Sequence, residues 1–354
     1  MVIVFAILLF SFLIFAHEFG HFITAKLCGV QVNEFAIFMG PALVKWKRGD
    51  TLYSIRCIPI GGYCAMEGED KMTDNPRAFT RAKWWKRLII LLAGSFMNFV
   101  VGLVLLFILV APMEAYRTPV VTELEPNSFL AQGDGIRSGD ELISVDGENI
   151  YLQSDFSMIL AIKGEGVYDV VVRRDGQRVK LEDVNFTRRE YVDENGTSSW
   201  LFGVTFGDVR EATFGSKLSY TWNCALDYVR IVRLSLGMLI SGDAGISDMS
   251  GPVGIVQQMS STASESESIA DALYRLLDFG AMIAINLAVM NLLPIPALDG
   301  GRAVCLLLTT AVEGITKKKL APKYEGYLHA AGMILLLAFM AFVTLKDVWT
   351  LIVR

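Results

Sequence analysis

Residues 2–25 read VIVFAILLFSFLIFAHEFGHFITA, an apolar run that carries two histidines and a glutamate near its far end. A bilayer span takes roughly 20 mostly apolar residues, so this stretch is expected to be a transmembrane helix. On that helix His17 and His21 are one turn apart and face the same way, which places two imidazoles to converge on one metal ion. Glu18 lies about 100° further round, within reach of a metal-bound water without being a ligand. Two neutral nitrogens, a free carboxylate and room for water are what a zinc hydrolase requires. A His-Glu-x-x-His match also arises by chance. Its depth argues otherwise, because ionisable groups in a membrane are costly and concentrate at functional sites.

The rest of the chain has the same character. Of its 354 residues 53% are hydrophobic, and the mean hydropathy is +0.44, too apolar for an ordinary soluble protein. Three further stretches qualify as spans: Leu88 to Ala111, about Ala272 to Leu293, and Tyr327 to about Leu345. A cleaved signal peptide competes for the first run, but that run has no basic leader and no convincing cleavage site. Four spans are therefore expected.

Basic residues crowd two of the connections. Lys26, Lys45, Lys47, Arg48, Arg56, Lys71, Arg77, Arg81, Lys83, Lys86 and Arg87 lie between the first and second spans, and Arg302, Lys317, Lys318, Lys319 and Lys323 between the third and fourth. By the positive-inside rule both connections face the cytoplasm, which puts residues 113–268 outside. A net charge of −5 gives no support to nucleic-acid binding; the basic runs read as topology signals that also suit anionic lipid. Cys28, Cys57, Cys64 and Cys305 fall on the cytoplasmic side and Cys224 alone on the other, so no disulfide framework is expected. The spacing of Cys57 and Cys64 fits no common zinc pattern.

Catalytic zinc usually takes three protein ligands and keeps a fourth position open. The remaining histidine, His329, sits near the start of the fourth span, where a packed or interfacial role is the simpler reading. Asp299 is the stronger candidate. It follows two prolines that break an apolar span, in Asn291-Leu292-Leu293-Pro294-Ile295-Pro296-Ala297-Leu298-Asp299-Gly300-Gly301. Broken backbone at that depth is tolerated only when buried in protein or lining a wet cavity. The depths agree: His17 lies about 24 Å along its helix, in the cytoplasmic part of the membrane, and the chain reaches Asp299 on the same side. A helix cap or interfacial turn is the plain alternative for Asp299.

His-Glu-x-x-His in the first span plus Asn-x-x-Pro-x-Pro-x-Leu-Asp-Gly in a later one resembles the site-2 protease family of intramembrane zinc metalloproteases, over nearly the whole chain. The closest likeness is to bacterial members with one PDZ domain, which cleave membrane-embedded anti-sigma factors or remnant signal peptides. The resemblance implies that His17, His21 and Asp299 bind zinc (Zn2+) and that Glu18 is the base. It also implies that Asn291, Pro294 and Pro296 line the substrate path, with Asn291 bonding to substrate backbone. Gly94-Ser95-Phe96-Met97-Asn98 is similar to the family's Gly-Pro-x-x-Asn, with Ser95 in place of the proline; close helix packing and a direct site role both fit it. Gly20 likewise either keeps the metal-facing surface open or lets helices approach.

Residues 35–66 alternate around Gly49-Asp50 and read as a short membrane-associated β-meander. In the family such a sheet dips into the membrane and offers an edge to an unwound substrate; a purely structural cover is the alternative. Asp134 to Gly147 resembles the signature of bacterial protease-type PDZ domains. Around it are expected a strand over Leu142–Val145, a helix near Phe156–Ile162, a hairpin through Asp175-Gly176, and closure of the sheet by Phe202–Phe206. This module would bind a peptide terminus, exclude bulky ectodomains, or act as an inert cap.

The expected organisation is thus a polytopic α-helical membrane protein of about four spans. Residues 1–112 form an N-terminal membrane part, 113–210 an extracytoplasmic PDZ domain, 211–268 an amphipathic helix (Leu218–Ile240) with a flexible linker, and 269–354 a C-terminal membrane part. The metal site would lie towards the cytoplasmic side of a bacterial plasma membrane, with single-span membrane proteins as substrates. A non-catalytic PDZ-containing adaptor would be expected to have lost Glu18 or a ligand, and a transporter to show paired polar pathways or repeat symmetry; the sequence has neither mark.

Overall fold

A computed structural model describes residues 2–69, 73–125, 127–192, 198–243, 245, 250–317 and 323–353. Lys71, Lys318 and Lys319, three of the basic residues behind the expected topology, lie outside the described residues. The first stretch forms α1 (Val2–Cys28), β1 (Val32–Arg48), β2 (Thr51–Met66) and α2 (Trp84–Val110). The middle forms β3 (Ala115–Arg117), β4 (Val121–Leu124), β5 (Glu141–Val145), β6 (Glu148–Asn149), α3 (Gln153–Lys163), β7 (Gly166–Arg174), β8 (Gln177–Phe186), β9 (Arg189–Val192), β10 (Ser198–Leu201), β11 (Val204–Phe206), β12 (Val209–Glu211) and α4 (Phe214–Ser241). The last forms α5 (Pro252–Ser264), α6 (Ile269–Asn291), α7 (Asp299–Thr316) and α8 (Lys323–Val353). Two compact units result, residues 1–106 with 239–354, and residues 107–238.

In the first unit, four helices are long and apolar enough to cross a membrane: Val4–Cys28, Trp84–Val110, Ile269–Asn291 and Gly326–Thr350. Lipid gives apolar helices no hydrophobic reason to associate, so close packing at small residues holds them together. A Cβ on Gly20 of α1 would lie 2.4 Å from the Ala93 carbonyl oxygen of α2, and one on Gly102 of α2 would lie 2.5 Å from Ile285 of α6. Of the two readings of Gly20, close approach of helices is the one the structure shows. Ala6, Leu9 and Leu13 of α1 pack with Leu276, Ile283 and Ala284 of α6.

The β1–β2 hairpin is folded on itself. Phe35 pairs with both Cys64 and Tyr53, and Tyr53 pairs also with Trp46. Bends at Phe38 (φ 70), Gly40 (φ +83) and Gly61 (φ +85) make this possible, and the β sheet begins at Val32 rather than residue 35. Arg56 holds the bend by donating to Glu34 (2.8 Å) and to the Gly40 carbonyl (2.6 Å).

One expectation about this unit needs correction. The Gly- and Ser-rich stretch 241–268 was expected to be a flexible linker, yet it contains the helix α5. Pro252 suits a first helical turn, and Ile255, Val256 and Met259 form an apolar stripe packed against α1 and α6; the serines occupy the remaining positions and mask the periodicity. Beyond the proline break, Asp299 opens α7, whose Ala303 and Leu306 join the core around Ala25, Val32, Ile90 and Leu91.

The second unit is built on an antiparallel sheet of order β6-β5-β7-β8. Asp146-Gly147 and Asp175-Gly176 all have positive φ, as two-residue hairpin turns require. The sheet and α3 enclose Leu130, Ile136, Leu142, Ile159, Val170 and Phe186, each contributing about 1.5–3 kcal/mol on burial from water. Phe202–Phe206 was expected to close this sheet; instead β11 pairs with β4 in a separate two-stranded ladder. Arg230 of α4, 7% exposed, reaches Glu148, Asp155 and Asp227.

Candidate metal centre

The centre is assembled at the crossing of α1 and α2. Helical spacing puts His17 and His21 on one face of α1, and Gly94 of α2 makes room for them: a Cβ there would lie 2.4 Å from His21 Nε2 and 2.8 Å from His17 Nε2. His21 Nδ1 is 2.8 Å from the Ile90 carbonyl oxygen. A carbonyl only accepts, so the proton sits on Nδ1 and the Nε2 lone pair is left for a metal. Asn98, 1% exposed, lies 3.4 Å from His17 Nδ1. The atom facing the ring is Nδ2, while the buried Oδ1 has no partner; exchanging the two by an amide flip lets Oδ1 accept from Nδ1–H and gives His17 the matching tautomer.

The third group arrives from α7. A proline-broken loop, 292–298, folds back on the start of that helix, and this is possible only because Gly300 and Gly301 lack side chains. A Cβ on Gly300 would meet the Leu292 carbonyl oxygen at 2.2 Å, and one on Gly301 the Ile295 carbonyl oxygen at 2.2 Å. Asp299 Oδ2 thereby comes 3.0 Å from His17 Nε2 and 3.2 Å from His21 Nε2, while the two nitrogens are 3.2 Å apart.

The donor set fits zinc. Tetrahedral zinc with bonds of about 2.0–2.2 Å separates neighbouring donors by roughly 3.3 Å. Three lone-pair atoms this close, two on neutral imidazoles with their other nitrogens spoken for, lack a cation from the chain. Among the described residues no other group of histidine, cysteine or acidic side chains is so arranged.

These residues open on a cavity of about 320 Å³, whose lining also includes Glu18, Tyr63, Cys64, Asn291, Leu298, Glu69 and Arg302. The β2 strand lies against the Glu18 side chain: a Cβ on Gly62 would be 3.7 Å from Glu18 Cγ. Glu69 and Arg302 are paired with each other at 2.6 Å. Of the residues expected to line a substrate path, Asn291 lines this cavity, whereas Pro294 and Pro296 do not; Pro296 packs against Gly332 of α8. Cys57 belongs to no metal-binding cluster, and Cys64 contributes only to the wall. Glu69 and Arg302 were absent from the expected site, and Gly94 and Asn98 were weighed there only as one of two readings of their stretch. The Gly94–Asn98 resemblance was a usable signal for the latter pair; nothing in the sequence links Glu69 to Arg302.

Comparison with known proteins places this geometry. The model of Peptidase family M50 matches residues 5–339. A Clostridium acetobutylicum protein, provisionally named a zinc metalloprotease, is 37% identical over 98% of this chain and 97% of its own. The zinc metalloprotease RasP of Geobacillus kaustophilus is 28% identical over 97% of this chain and 96% of that one. The Bacillus subtilis protein named regulator of sigma-W protease RasP is 26% identical over 97% of each.

Proposed function

Because this chain belongs to peptidase family M50, the site-2 protease family of zinc metalloproteases, we propose that His17, His21 and Asp299 hold its zinc and that Glu18 is its general base. The observation that carries the assignment is the convergence of three ligand atoms within 4.8 Å of one another, in the cavity that Glu18 lines. Zinc bound there would supply Lewis acidity and bring the pKa of water down to about 7. The chain's own groups do the rest. Glu18 removes the proton of the attacking water and delivers it to the leaving amide nitrogen. Ile90 and Asn98 hold the two imidazoles in the required tautomer, and Gly94 lets them lie against α2.

The substrate class follows from the setting. A metal centre on a membrane-spanning helix acts on segments that enter the membrane, and one of the relatives carries the name of a sigma-factor regulator. We assign single-span membrane proteins, anti-sigma factors or remnant signal peptides, as substrates. A helical substrate hides its carbonyls in its own hydrogen bonds, so it must be extended before cleavage; Asn291 is placed to bond the opened backbone, and the β1–β2 sheet offers an edge for pairing. Pro294 and Pro296 act by shaping this loop. We read residues 113–210 as an extracytoplasmic PDZ domain; among the described strands β11 pairs only with β4, which suits capture of a peptide terminus by strand addition. The basic connections assign the metal centre to the cytoplasmic side of the bacterial plasma membrane.

The test is cleavage of a model single-span substrate by the purified protein and its Glu18→Gln variant, each with and without a zinc chelator. Loss of cleavage in the variant and under chelation is the expected result. Equal cleavage by both forms would remove Glu18 from its role.

A further inference from the structure

The last spanning helix, α8, is thinly attached: 6% of its span is buried, against 33–39% for the other three. One end of it seats on α5 through Asp347, and the other touches the loop that carries Asp299. A Cβ on Gly332 would lie 2.5 Å from Pro296 Cβ and 2.6 Å from the Pro296 carbonyl oxygen. One turn earlier, His329 Nδ1 accepts the backbone N–H of Ala297 at 3.2 Å.

That amide is unusual in two ways. Ala297 has φ +84, a left-handed conformation that residues with a Cβ avoid and that persists only where the surroundings impose it. The loop is also short of donors, since Pro294 and Pro296 have no N–H. The other amides nearby stay inside the turn, Ile295 donating to Leu293 (2.7 Å) and Leu298 to Ile295 (3.1 Å). The Ala297 amide alone in this turn reaches another helix, and Asp299 lies two residues further on.

We propose that His329 is a positioning residue for the metal centre: by accepting the Ala297 amide hydrogen it fixes the strained turn that delivers the Asp299 carboxylate to His17 and His21. Gly332 completes the seat by letting α8 lie against Pro296. The proposal rests on the reading of Asp299 as a zinc ligand. Partners that orient ligands from outside the coordination sphere typically change metal affinity 10–100-fold when removed.

The experiment is competition of the full-length protein in detergent against a zinc chelator, with zinc itself as the probe, alongside cleavage kinetics. His329→Ala is expected to weaken zinc binding about tenfold and to lower kcat at little-changed KM. His329→Asn, whose Oδ1 takes the place of Nδ1 as acceptor, restores both to within a few-fold; His329→Gln, whose amide sits at the Nε2 position, does not. Gly332→Ala changes zinc affinity in the same direction and keeps the test alive if His329→Ala does not fold. Unaltered zinc affinity in His329→Ala, or an Asn variant no better than the Ala one, would overturn the proposal. Asp299→Asn separates the two readings. If it retains zinc as tightly as the parent, the ligand assignment itself fails; if it loses zinc while His329→Ala does not, only the role of His329 fails.

Discussion

Two of the groups of buried charge among the described residues differ in where the positive charge comes from. In the second unit, Glu148, Asp155 and Asp227 surround Arg230, with Arg233 adding 2.5 Å contact to Glu148. At the candidate metal centre, Asp299 faces two imidazoles whose far nitrogens lie against the Ile90 carbonyl and the Asn98 amide, and Arg302 is paired with Glu69. The first group draws its positive charge from side chains, Arg230 and Arg233, and fastens α4 to α3 and β6. The second is left wanting a cation. Buried carboxylates are thus no sign of a site by themselves; the sign is a carboxylate gathered with neutral donors and no protein cation among them.

The comparison breaks most decisively at the ligands. Replacing His17 by Ala should abolish stoichiometric zinc retention and lower cleavage by at least about 10³-fold, since catalysis and metal are lost together; metal analysis of the purified variant checks it. A variant that kept its zinc would place the metal elsewhere. At the other group, Arg230→Met removes the shared cation and leaves carboxylates buried, at an expected cost of about 3–5 kcal/mol in the stability of the 107–238 unit. Amide hydrogen exchange in α3 and α4 measures it. Zinc affinity should be unmoved, and a large loss of zinc would show that the two groups are not independent.

Between these lies Gly94→Ala. The new methyl group would sit 2.4 Å from His21 Nε2, so α1 must shift or the imidazole must turn. Zinc affinity should fall roughly 10-fold or more, in line with other changes just outside a coordination sphere, while Gly237→Ala, with open space around its Cβ, should leave it unchanged.

The grouping of His17, His21 and Asp299 was far more legible in the sequence than the contacts that support it, for a physical reason. His17 and His21 are four apart on one helix, so period alone places them together, and the prolines before Asp299 advertise broken backbone at membrane depth. The four spans are likewise legible because lipid demands long apolar runs. What could not be read depends on approach between distant segments. Gly300 and Gly301 matter because of carbonyl oxygens in the loop before them, Asn98 because of a histidine 81 residues away, and His329 because of one strained amide. α5 escaped because its serines and glycines look like a linker, although Gly251 and Gly254 donate to Asp347 of α8 at 2.8 and 2.9 Å and its apolar stripe is buried.

The smallest effect expected sharpens the comparison from the side of the satisfied group. Burial, and then the neighbouring Asp155, push the Asp227 carboxyl well above its ordinary range, with Arg230 pulling the other way. Its ordinary pKa is about 3.9. The folded protein therefore holds a proton that the unfolded chain releases, and by linkage stability falls as pH rises. Asp227's contribution is complete below about pH 4 and is lost progressively as pH climbs towards the raised folded value. Asp227→Asn removes the titration while keeping a donor towards Asp155. The variant should match the parent near pH 4 and exceed it near pH 8, read from hydrogen exchange of α4 amides across that range. Parallel pH profiles for the two proteins would mean that Asp227 takes up no proton on folding, and that Arg230 outweighs burial at this carboxyl.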